Sequence, residues 1–135
     1  MRLAALLIAV SAAAPALAQE RTPTERQSLL DLSYALGESH ALRQACQGAD
    51  DQYWHQRMVR LTDTEAADEA FDAQLRGRFN TGYAAGQAQH PSCDRETRRA
   101  AATVAARGQA LARRLASVMR NSAQDRTMIT EFAPE

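Results

Sequence analysis

Seven side chains combine charge, hydrogen-bonding capacity and aromatic surface in one part of this 135-residue sequence: His40, Arg43, Asp51, Gln52, Trp54, Asn80 and Tyr83. Two kinds of chemistry suit them. Arg43 and Asp51 are complementary for a bidentate ion pair that Trp54 and Tyr83 would anchor by packing, a structural latch. Arginine and aromatic side chains also dominate the centres of binding interfaces, so the same group suits a pocket for a ligand or a partner segment. For catalysis the plausible residues are Asp51, Glu38 and His40, and no motif orients a nucleophile toward a base. His40, His55 and His90, together with Cys46 and Cys93, are candidate metal ligands by type alone. No HxxxH, HExxH or CxxC spacing joins them, so neither a metal nor another cofactor is expected.

The elements that must carry these residues are helical. Alanine fills 29 positions, while Gly and Pro total 10, a balance that disfavours sandwiches and barrels. Thr22-Pro23-Thr24-Glu25 reads as a capping box with Pro at the first helical position, and Leu29, Leu32, Leu36, Leu42 and Cys46 continue one stripe, predicting a helix over 23–47 that ends at Gly48. Asp50 and Asp51 can cap a short second helix carrying Trp54, Met58 and Leu61 on one face. Thr62-Asp63-Thr64-Glu65 repeats the capping box and predicts a third helix along Phe71, Leu75, Phe79 and Tyr83, stopped near Gln89 by His90-Pro91. Within it Gly82 and Gly86 form a small-residue ridge suited to close helix packing. Asp94 caps a fourth helix with Val104, Gly108, Leu111, Leu115 and Val118 on one side. The sequence thus predicts an all-α, small antiparallel bundle of three long helices and one short, held by one disulfide, with the domain over 19–120 and a flexible tail over 121–135.

Residues 1–18 have the form of a secretory signal: Arg2 near the start, an apolar run from Leu3 to Val10, and Ala16-Leu17-Ala18 before Gln19. With Ser11 and Pro15 interrupting it, the apolar stretch falls short of the roughly 20 residues that a spanning helix needs. A periplasmic protein with no transmembrane segment after cleavage is expected. In that oxidising compartment two cysteines should pair, and antiparallel packing brings the end of the first helix to the start of the fourth, so Cys46–Cys93 is the predicted disulfide.

Sixteen Arg and no Lys balance sixteen acidic residues, which argues against a dedicated nucleic-acid binder. The charge is segregated all the same. Seven acids lie between Asp50 and Asp72 against two Arg, and seven Arg lie between Arg95 and Arg120 against Glu96 alone. Arg95, Arg113 and Arg120 project opposite the apolar stripe of the fourth helix, with Arg98, Arg107 and Arg114 on its flanks. Such a face suits anionic lipid or an acidic partner, although packing that sets Arg107 and Arg114 beside Asp68, Glu69 and Asp72 would cancel part of it.

His40-Ala41-Leu42-Arg43 with Cys46 and Gly48, then Asp51-Gln52, Trp54 and Met58, and later Phe79-Asn80-Thr81-Gly82-Tyr83 with Cys93, together resemble a family of small exported alphaproteobacterial proteins of unknown function. The likeness runs from about Leu29 to Leu115. It implies a secreted, cysteine-containing helical domain of the cell envelope and brings no activity to any residue. The expected role is therefore a non-catalytic binding or adaptor module engaging an envelope protein or cell-wall polymer through the disulfide pole. The alternatives are an envelope enzyme or a small-ligand carrier with its site at that pole.

Overall fold

The computed structural model describes residues 21–131, so the leader expected over 1–18 and the end of the expected tail, 132–135, lie outside the described residues. Four helices follow one another: α1 (Pro23–Gln47), α2 (Tyr53–Glu65), α3 (Glu69–Gln89) and α4 (Arg95–Glu131). Three are long and α2 is short, and Cys46 is bonded to Cys93, as the sequence led one to expect. No strand occurs among the described residues.

Local chemistry sets most of the boundaries. The Thr22 hydroxyl accepts from the Glu25 amide while the Glu25 carboxylate accepts from the Thr22 amide, closing the capping box at the head of α1. Gly48 ends α1 at φ 106°, a conformation that favours glycine. The second capping box does not form. Thr62 and Glu65 belong to the last turn of α2, where the Thr62 hydroxyl donates back to the Val59 carbonyl, and Ala66 closes the helix in the left-handed region at φ 44°. α3 is capped instead by Asp68, whose carboxylate accepts from the Phe71 amide. The head of α2 also departs from expectation: Gln52 occupies the cap position without a side-chain bond, and Asp51 reaches the Tyr53 amide from just outside. Asp94 receives the Thr97 amide at the start of α4.

α4 does not stop near Arg120. It continues through Glu131, about 55 Å in all at 1.5 Å per residue. Between Gly108 and Pro134 no residue breaks a helix, and the Ser122 and Thr127 hydroxyls bond carbonyls one turn back. The apolar period fades past Leu115, and Val118, Met119, Met128 and Ile129 are exposed.

α1 is the hub. Its residues 35–37 and 39–42 are all buried, which no single face could provide, and the small side chains of Ala35, Ser39 and Ala41 with Gly37 let other helices approach from several sides. α3 runs parallel to α1 because α2 turns the chain back between them. Backbones meet where a Cβ on Gly37 would fall far inside contact with the Phe79 carbonyl, and one on Gly82 would do the same at Tyr34. A Cβ on Gly86 would lie 2.8 Å from that of Ala41, so the expected Gly82–Gly86 ridge is a packing surface. Leu29, Leu32, Leu36, Met58, Phe71, Leu75, Phe79 and Leu115 form the main core, and Ala35, Leu42 and Val104 a smaller one under α4. The backbone of α4 comes close to that of α1 alone, while its Leu115 shares the main core with residues of α2 and α3. This corrects the expected pairing of Arg107 and Arg114 with the acids of α3: Arg107 pairs with Glu38 of α1.

Candidate functional site

The end of α1, the start of α2 and the end of α3 meet at one pole, beside the disulfide, whose Cα atoms are 4.8 Å apart. Arg43 points its Nε at both Asp51 oxygens, 2.9 Å from each. Asp51 also takes the Tyr53 amide at 3.1 Å, so one carboxylate fixes both the loop and the first turn of α2. Desolvation pushes the Asp51 carboxyl up, but the Tyr53 amide and the Arg43 guanidinium outweigh it and hold the group below the ordinary carboxylate range. Gln44 completes the arrangement. Its amide nitrogen donates to the Ala49 and Asp51 carbonyls, and its oxygen accepts the Tyr83 hydroxyl at 2.6 Å, which ties α3 to the loop.

His40 lies below this surface, 6% exposed, its ring 5.2 Å from Tyr83, 5.7 Å from Phe79 and 5.9 Å from His55. Its Nδ1 is buried without a hydrogen-bond partner. Burial chiefly, with His55 adding repulsion, lowers its pKa, and Asp51 offsets this in part. Trp54 leans on the main core and meets Tyr53 edge-on at 5.0 Å, with the Arg57 guanidinium 5.3 Å above its ring. The pole therefore gathers His40, Arg43, Asp51, Trp54 and Tyr83. Gln52 reaches it only through its backbone at the head of α2, and Asn80 is exposed on α3 outside the network.

The candidates for acid–base chemistry are engaged separately. Glu38 is paired with Arg107, Asp51 with Arg43, and His40 is enclosed among rings. The cysteine sulfurs are bonded to each other, and no group of three or more potential metal ligands occurs among the described residues. No described helix is long and apolar enough to cross a membrane.

Because the backbones of α2 and α4 flank α1 without approaching each other closely, a groove of about 820 Å³ opens between them. Leu32, Ala35, Leu36 and Ser39 form its floor; Trp54, Arg57 and Leu61 rise on one side, Ala102, Ala105 and Ala106 on the other. The small residues of α4, which in sequence suggest close packing, line this opening instead. Sequence reasoning also missed Tyr53, over whose ring the guanidinium carbons of Arg57 and Arg43 lie at 3.6 and 4.5 Å, and Gln44. Gln44 carries no compositional signal beyond its place beside Arg43.

The model of a family described as a protein of unknown function (DUF2385) matches residues 23–119, from the first residue of α1 into the exposed part of α4. No curated protein and no solved structure matches the chain significantly.

Proposed function

The chain belongs to the DUF2385 family, and since that membership assigns no chemistry, we propose its role from its geometry: a non-catalytic binding module of the cell envelope, working through the groove between α2 and α4. The observation that carries this reading is an open, mainly apolar trough walled by Trp54 and Arg57 and bounded by a helix whose backbone comes close to α1 alone. Apolar concavities with a few placed polar groups are the usual form of binding sites. Of the residues expected at the pole, Trp54 faces the ligand, while Arg43, Asp51 and Tyr83 act as the latch that fixes where α2 begins and so where its wall stands. Export to the periplasm rests on the leader-like residues 1–18, and the Cys46–Cys93 bond supports an oxidising compartment.

Site-specific photocrosslinking tests the assignment. A photoreactive residue at Ala106 should yield a discrete adduct in envelope extract, and one at Thr103, on the other side of α4, should not. Ala102→Phe, at an exposed groove position, should abolish the adduct while the unfolding midpoint stays within a few degrees. Equal labelling from both positions would remove the groove as the working surface.

A further inference from the structure

The residues that line the groove carry charge of one sign only. Its lining contains Arg57 and Arg60 from α2 and no Asp or Glu. On α4, Arg98 precedes Ala102 by four residues and Arg113 follows Gln109 by four, which places both on the groove-side face just beyond its ends. Arg60 and Arg113 form no ion pair among the described residues, and of the seven Arg from Arg95 to Arg120 one, Arg107, is paired with a carboxylate.

The two walls have helical spacing. Trp54, Arg57, Leu61 and Thr64 on α2 and Ala102, Ala105, Gln109 and Ala112 on α4 each cover about three turns, or ~15 Å. That is the length over which an amphipathic helix sets anchors at i, i+3 or i+4, and i+7. Ala and Gly along α4, with Ala35 and Ser39 on the floor, leave room for another helix axis at the usual separation of about 8–10 Å. A flat lipid surface could reach the Arg rim and would still be kept from Leu32 and Leu36 by the flanking helices.

We propose that the groove docks an amphipathic helix of a partner protein, its apolar stripe on the α1 floor and its flanking Asp or Glu side chains against Arg57, Arg60 and Arg113. This names the partner class for the site assigned above and rests on that assignment. A seated helix would fill the gap between α2 and α4, burying the trough and neutralising the rim together.

Trp54 is the chain's one tryptophan, so its emission reports on the groove directly. The probe is a synthetic peptide of about 18 residues, long enough to form a helix once seated, with a Leu stripe flanked by Glu; its twin carries Lys instead. The Glu peptide should shift Trp54 emission saturably, and its affinity should fall as salt rises. Arg60→Glu combined with Arg113→Glu, both at exposed positions, should weaken it about tenfold and favour the Lys peptide. Ala106→Phe should block both variants of the experiment. If the Lys peptide binds the native protein as well as the Glu peptide does, the acidic-helix assignment is overturned, and the groove stands so long as Ala106→Phe still blocks. Binding of neither peptide, with the Ala106 crosslink intact, likewise overturns the helix and spares the groove. Tight binding of phosphatidylglycerol vesicles that Ala106→Phe leaves unchanged, with no peptide binding, replaces the proposal with a lipid-facing Arg surface. Peptide binding that survives Ala106→Phe removes the groove itself.

Discussion

Packed beneath His55, Phe79 and Tyr83, the His40 imidazole has little water to solvate a proton and no partner for Nδ1, so its neutral form is favoured in the folded chain. The unfolded chain, by contrast, binds the proton with an ordinary pKa of 6.5. A depressed folded value means that the contribution of neutral His40 is fully present above pH 6.5 and is lost as pH falls through the folded value. Asp51, Asp94 and Glu25, also depressed, lose theirs only in the carboxylate range further down. Denaturant midpoints should therefore decline as pH falls below 6.5, ahead of the carboxylate range, and His40→Leu should flatten that decline while leaving the acid limb in place. An unchanged slope in the variant would assign the effect elsewhere. The identity of this residue was readable from its place beside Arg43. Its burial was not, because enclosure comes from rings on α2 and α3 distant in sequence.

Among the helices, the closest contact is the one between α1 and α3, where glycine is required by space and not by backbone angle. Gly37→Ala and Gly82→Ala would each drive a methyl group into a carbonyl of the facing helix, and a helical backbone cannot yield as a side-chain tip does. Each should cost at least about 2 kcal/mol in chemical unfolding, within the range for overpacked cores. Gly77 meets nothing within 4 Å and is exposed, so Gly77→Ala should add roughly 0.5–1 kcal/mol from helix propensity alone. The same contrast explains what the sequence made legible. Phe71, Leu75 and Phe79 lie at four-residue steps and are all buried, and Gly82 with Gly86 could be recognised as a packing ridge. The second capping box misled because Thr-x-x-Glu is equally at home in a last helical turn, and only the left-handed Ala66 and the Asp68 cap mark the real boundary. The groove left no local trace, since it depends on how far apart two helix backbones stand.

Taken whole, the molecule closes on itself covalently at one end. The Cys46–Cys93 bond spans 47 positions in sequence, and closing a loop of that size stabilises by roughly 4 kcal/mol on the chain-entropy account. Protein isolated without reductant should show no titratable thiol in denaturant, and reduction should lower the melting temperature by about 10–20 °C for a domain of this size. Two free thiols in the native material would refute the bond as a feature of the working protein.

With its first turn pinned beside that bond and its backbone close to that of α1 alone, α4 resembles a long oar resting on one gunwale. A roll of α4 across α1 would have two sides. Opposite the Trp54 wall, α3 and α4 bound a second cleft of about 610 Å³ lined by Leu42, Gly86, Arg99 and Val104. α4 is thus the common wall of both openings, so a roll that widened one would narrow the other.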